Sequence, residues 1–196
     1  RDPLWSRGLG DVYKRQIMKK PNQRIGANVV KTDLVELHKS SSNKSATYAL
    51  HFDTEDTNQF CDFTEKIQNL ISSSNIAHGS VTISTPHTTT AIIINESETG
   101  YINDFKRKLE ELVPTDSYYE HDDWDLRTEN MQEDENVNGR SHVRGSIIGS
   151  TSVSLPIVDS EIILGRWQRL FFIELDCGRS RRLFVQIQDL NLSLIH

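Results

Sequence analysis

The chain has 196 residues, with 22 Lys and Arg against 28 Asp and Glu, a formal net charge of -6 and a pI near 5.6. Binding along nucleic acid or an anionic membrane is driven by a surplus of Lys and Arg, so this balance excludes both as the main purpose. No apolar run approaches a membrane span, and Cys61 and Cys177 form no C-x-x-C pair, so a soluble protein in a reducing cytoplasm is expected.

Residues 1–16 show neither helical nor strand periodicity and lack the apolar core of a signal peptide. They resemble a translated sequencing adaptor, as do Leu192 to His196 at the other end. The expectation is therefore a non-native tail over 1–16, a loose segment over 17–34, one domain over 35–191 and a second non-native tail over 192–196. That single domain is long enough to bury a substantial core.

Val35-Glu36-Leu37 and Ala46 to Phe52 are expected to pair as a hairpin across the serine-rich stretch Ser40 to Ser45. A helix follows, capped by Asp56 or Thr57, because Phe60, Phe63, Ile67, Leu70 and Ile71 recur at three- and four-residue spacing. It ends near Ser73. Ser80 to Thr85 alternates as a half-buried strand, which Pro86 breaks beside His87. Ala91-Ile92-Ile93-Ile94 shows no alternation and is expected to be buried on both faces.

From Glu98 to Leu112 a second amphipathic helix turns Ile102, Phe105, Leu109 and Leu112 inward, and Pro114 stops it. Tyr118 to Asn138 is acidic and poor in core residues, a length of chain that often serves a site. His142 to Ile148 is expected as a short helix. Ser152 to Ile157 and Glu161 to Leu164 form a hairpin about Asp159-Ser160, and Gln168 to Leu175 with Arg182 to Gln188 form another, turning at Asp176-Cys177-Gly178. Many strands and two to three helices without β-α alternation indicate an α+β fold. A P-loop, a dinucleotide-binding glycine pattern, a G-x-S-x-G elbow and an H-E-x-x-H helix are all absent.

The ordered set His87-Thr88-Thr89, Asn95-Glu96, Asp104, Pro114, Tyr119-Glu120-His121-Asp122, Asn138, Ser141-His142, Gly149, Leu164-Gly165-x-Trp167-Gln168, Glu174-x-Asp176 and Arg181-Arg182 resembles the YjbQ-like family, often labelled secondary thiamine-phosphate synthase. The resemblance runs from Val35 to Gln188. It implies a compact α+β domain of antiparallel or mixed sheets packed as a sandwich, assembled as a homotrimer, with weak thiamine-phosphate synthase activity. The chain departs from the common pattern in an insert, Trp124 to Asn136, placed to reshape a pocket mouth.

Neutral imidazole suits zinc and other transition ions, so His87, His121 and His142 are candidate ligands for a divalent metal, zinc or magnesium; each is equally readable as a core or hydrogen-bonding histidine. Glu96 and Asp104 are candidates to orient these rings, and Asp122 is the nearer partner of His121. Arg144, Arg181 and Arg182 are candidate anion clamps for a small phosphorylated molecule, with a charged strand end as the other reading of the last two. Trp167 is either a core anchor or a platform for substrate. Catalysis is thus assigned to His87, His121, His142, Glu96 and Arg182, and substrate binding to Thr88, Thr89, Asn95, Asn138, Arg144, Gln168 and Arg181. The expected function is a metal-assisted transferase; a metal-dependent hydrolase and a non-catalytic metal- or ligand-binding protein are the alternatives.

Overall fold

The computed structural model describes residues 27–28, 30–40 and 44–190. The two tails and most of the segment 17–34 lie outside those residues. Among the described residues nine strands form two antiparallel sheets, six-stranded in the order β1-β2-β9-β4-β6-β7 and three-stranded in the order β3-β8-β5. In chain order the elements are β1 (Asp33–Ser40), β2 (Ser45–Asp53), β3 (Gln59–Asp62), α1 (Thr64–Ser74), β4 (Gly79–Ser84), β5 (Thr90–Glu96), α2 (Thr99–Leu112), α3 (Gly139–Ile148), β6 (Ser152–Val158), β7 (Glu161–Ile162), β8 (Gln168–Glu174) and β9 (Ser180–Asp189). Among the described residues no helix is long and apolar enough to cross a membrane.

Alternation along the strands builds the layers. Tyr48, Leu50, Val81, Ile83, Leu183, Val185 and Ile187 line the inner face of the large sheet. They pack with Ile67 and Ile71 of α1 and with Cys61, Ile92, Leu170 and Phe172 on one face of the small sheet. The other face of the small sheet, with Phe60, Ala91, Phe171 and Ile173, packs on Ile102 and Leu109 of α2. Covered on both sides, the small sheet has no need of polar positions in its middle. That accounts for the unbroken apolar runs of β5 and β8.

Two expected elements are corrected by this layering. The periodic run Phe60 to Ile71 is not one helix: Gln59–Asp62 is a strand paired with β8, and the helix starts only at Thr64, whose N–H donates to Asp62 Oδ1 at 2.9 Å. The pair Gln168 to Leu175 and Arg182 to Gln188 is not a hairpin. β8 belongs to the small sheet and β9 to the large one, so residues 175–179 cross between sheets instead of turning back. The Asp159-Ser160 turn does form, with φ of 52° and 62°, the double left-handed geometry of a tight hairpin. In α2, Leu112 points outward and is 64% exposed, because the helix ends there and Val113 takes the inward position.

Three crossings from one sheet to the other meet at one end of the sandwich: 54–58 after β2, 85–89 after β4 and 175–179 after β8. The N–H of Leu175 donates to Thr89 O at 3.1 Å, and that of Thr54 to Arg179 O at 2.9 Å. At Gly178 a Cβ would stand 2.7 Å from the backbone of Thr54 and Glu55, so the crossing requires glycine there.

Candidate active site

The crossing loops carry polar side chains into an interior that has lost its sheet partners. Glu174, fully buried at the end of β8, anchors them. Its carboxylate accepts from Thr54 Oγ1 at 2.8 Å, from the N–H of Asp176 at 3.0 Å and from Arg181 Nε at 2.6 Å and Nη2 at 2.5 Å. Arg181 Nη2 also donates to Thr89 Oγ1 at 3.1 Å, tying down the loop that bears His87. His87 Nε2 in turn accepts the backbone N–H of Arg182 at 3.0 Å. Burial, and then the positive charge of Arg181, hold the His87 imidazole below its ordinary pKa.

The second half of the site stands on α3 and the 3-10 turn Glu120–Asp122. Asp122 accepts the N–H groups of Asn138 and Gly139 at 2.9 Å, capping α3, and its Oδ1 lies 3.2 Å from His121 Nδ1. A carboxylate at a helix N-terminus satisfies both the orphan donors and the dipole. The His121 and His142 rings are thereby brought to a centroid distance of 4.4 Å, inclined at 34°. Burial, followed by the proximity of His121, lowers the His142 pKa, so the neutral ring predominates at pH 7.

Two clefts adjoin along Thr88, Glu135 and His142. One, about 360 Å³, is bounded by His87, Thr89, Asn138, Arg179 and Arg181; the other, about 710 Å³, by Glu120, His121, Arg127 and Glu129. The insert Trp124 to Asn136 supplies much of the second wall. Arg127 fixes it by donating to Glu135 at 2.8 Å and to His121 O at 3.2 Å.

Of the residues singled out in the sequence, His87, Thr88, Thr89, His121, Asn138, His142 and Arg181 gather around these clefts in one chain. The others do not. Arg144 is fully buried, donates twice to Val113 O at 3.1 and 2.6 Å and pairs with Glu110. It closes the C-terminus of α2 and is no anion clamp. Arg182 points out of the sheet, its guanidinium 4.8 Å from the centre of the Phe184 ring. Asn95, Glu96 and Gln168 sit at the far end of the small sheet, where Glu96 pairs with Gln168. Six residues of strand, about 20 Å at ~3.3 Å each, separate Glu96 from Thr90 at the cleft end, so Glu96 does not orient the imidazoles. Gln168 accepts the Gly165 N–H at 2.7 Å in a turn. Asp104 pairs with Arg107 on the outer face of α2. Trp167 is half exposed, under the Arg166 guanidinium, and anchors no core.

Among the described residues no group of three or more His, Cys, Asp and Glu side chains is disposed to hold a metal ion. The Nε2 lone pair of His87 is already engaged by the Arg182 N–H. As arranged, the three imidazoles do not fit a divalent ion. Sequence reasoning missed Arg179, Glu135 and Arg127 as site residues and gave Glu174 and Asp176 no role. The signal for the last two was the one that marked His87, polar groups closing an apolar strand.

The family described as UPF0047 protein YjbQ-like matches residues 48–190. A UPF0047 protein of Archaeoglobus fulgidus is 34% identical over 128 residues, 65% of this chain and 90% of that protein. One from Methanothermobacter thermautotrophicus is 33% identical over 129 residues, 66% of this chain and 82% of its own. A solved structure of a hypothetical protein from Aeropyrum pernix K1 superposes with a TM-score of 0.63 at 28% identity, covering 73% of this chain and 98% of that one. A YbjQ-like protein of unknown function from Sulfolobus solfataricus shares the fold, with a TM-score of 0.61 at 24% identity over 74% and 99% of the two chains.

Proposed function

The chain belongs to the YjbQ-like UPF0047 family, and from the paired imidazoles of His121 and His142 we propose that it is an acid–base transferase or hydrolase acting on a small phosphorylated molecule. One observation carries this reading: two rings 4.4 Å apart, His121 lining the larger cleft and His142, kept neutral by burial, in the wall common to both. A neutral, partly shielded imidazole accepts a proton near pH 7.

His142 takes the proton of the attacking hydroxyl or water as the new bond to the phosphoryl group forms. The bond to the leaving group breaks with its electron pair, and the departing oxygen is reprotonated from solvent. Thr88, which lines both clefts, borders the phosphate. A finer reading is thiamine-phosphate synthesis, a different displacement. The ring nitrogen of a thiazole phosphate attacks the methylene carbon of a pyrimidine methyl pyrophosphate, the C–N bond forms as the C–O bond breaks, and pyrophosphate leaves with the electron pair. His142 therefore takes no proton from that nucleophile. The reading includes a reducing, cytoplasmic setting, in which Cys61 and Cys177 stay free thiols, and a homotrimer. The exposed Leu34, Val35 and Leu37 of the edge strand β1 support the latter, and light scattering measures it.

A second reading, a protein that holds its ligand without turnover, is favoured by the neutralisation of Arg181 by Glu174 and of Arg179 by Asp176. The two separate in one assay. Purified protein and its His142→Asn variant are given p-nitrophenyl phosphate and the thiamine-phosphate precursors, with and without divalent ions. Turnover of p-nitrophenyl phosphate that falls by about 10²–10⁴ in the variant supports general-base catalysis. Ligand binding without turnover in any condition leaves the binding protein.

A further inference from the structure

Asp176 is almost wholly buried, and one of its oxygens, Oδ2, accepts from Asn138 Nδ2 at 3.0 Å and forms an ion pair with Arg179 Nη2 at 3.0 Å. A carboxylate only accepts, so Asn138 must turn its amide nitrogen to Asp176 and its Oδ1 the other way. Asn138 is 5% exposed and lines the smaller cleft, yet its buried Oδ1 has no protein partner; neither has Arg179 Nε in the same wall. A buried acceptor and a buried donor left open cost stability unless something completes them. The two flank a single anchoring carboxylate, so their orientation is set before any ligand arrives.

Resting on the reading of this cleft as a ligand site, we propose that Asn138, Asp176 and Arg179 form a subsite for a neutral carboxamide group. The carboxamide N–H donates to Asn138 Oδ1 and its carbonyl accepts from Arg179 Nε. An anion fits this wall less well, because Arg179 is already neutralised by Asp176 and Asn138 offers only an acceptor. The phosphate of the substrate therefore lies away from Asn138, and the carboxamide-like end lies against it.

The probes are benzamide and benzoate, equal in shape, titrated into the full chain and followed by protein NMR shifts. Benzamide is expected to bind at least about tenfold more tightly, the penalty for leaving a buried partner unmet. Asn138→Ala is expected to bring the two within about twofold of each other. Arg179→Lys, which keeps the charge beside Asp176 but removes Nε, is expected to weaken benzamide about tenfold. Thermal unfolding verifies that each variant is folded, and if Asn138→Ala is not, Arg179→Lys decides alone. Equal binding, tighter benzoate, no binding of either, or a preference untouched by the substitutions overturns the subsite. If the phosphate chemistry still depends on His142 in that case, the proposed activity stands without it.

Discussion

Arg181 gives Nε and Nη2 to the two oxygens of Glu174, and neither side chain is more than 5% exposed. The pair stands where the three crossings meet, so breaking it disturbs all of them. Glu174→Gln leaves the guanidinium charge buried with half its acceptors, and a loss of about 3–5 kcal/mol is expected. Replacing both residues by Leu removes the stranded charge, so the double variant should lose less than Glu174→Gln alone. Denaturant midpoints of the three proteins measure this; a Gln variant as stable as the parent would show that the pair does not anchor the crossings.

The pH dependence follows from His142. Its folded pKa lies below the ordinary value, chiefly through burial and then through His121. A lowered imidazole pKa means that protonation opposes folding. The contribution is fully present above the ordinary value of ~6.5 and is lost as pH falls from there through the lowered folded value. His87, lowered by burial and by Arg181, acts in the same direction. Turnover should accordingly hold as pH falls past 6.5 and decline only below it. In His142→Asn the acid limb should disappear along with most of the rate. A limb centred at or above 6.5 in the parent protein would remove His142 as the base.

Arg144 and Arg179 separate a structural arginine from one in the site. Arg144→Met leaves the Val113 carbonyl without its two donors and should cost about 1–3 kcal/mol of stability. Ligand affinity, measured below the unfolding transition, should barely move. Arg179→Ala should do the reverse, weakening benzamide about tenfold while costing less stability, since its side chain is 36% exposed and the buried Asp176 keeps its hydrogen bond from Asn138. The reverse pattern would restore Arg144 to the site.

How far these roles are readable from sequence depends on what sets them. The strands, the α2 helix and the Asp159-Ser160 turn are legible because each is dictated by local periodicity or by a backbone conformation. Phe60 was misread because its spacing to Phe63 and Ile67 matches a helix by coincidence. It packs against Phe171 and Phe105 on the far side of the small sheet, while Phe63 packs with Phe52 and Phe172 on the near side. No local pattern encodes which sheet a strand joins, so β8 and β9 read as a hairpin. His87 is legible because polar groups closing an apolar run have few structural excuses, whereas His121 and His142 stand out only through the family resemblance. Arg144 reads as an anion clamp because its carbonyl partner, Val113 at the C-terminal cap of α2, lies 31 residues away, where sequence gives no hint of it.

Glu96 offers the sharpest test of where the site ends. It stands beside His87 in one ten-residue stretch, but β5 runs straight between them through the sandwich, and Glu96 emerges exposed beside Gln168. At about 20 Å, further than the ~8 Å Debye length at physiological salt, its charge is screened from the imidazoles. Glu96→Gln should therefore leave turnover, and the pH at which it declines, within about twofold of the parent, as expected for an exposed substitution remote from the chemistry. Thr89→Val, seven residues earlier on the same run, removes the hydroxyl that accepts from Arg181 Nη2 and should lower turnover by loosening the loop that holds His87. Parallel kcat/KM profiles of the two variants provide the measurement. A loss for Glu96→Gln as large as that for Thr89→Val would mean that the far end of the small sheet takes part in the chemistry after all.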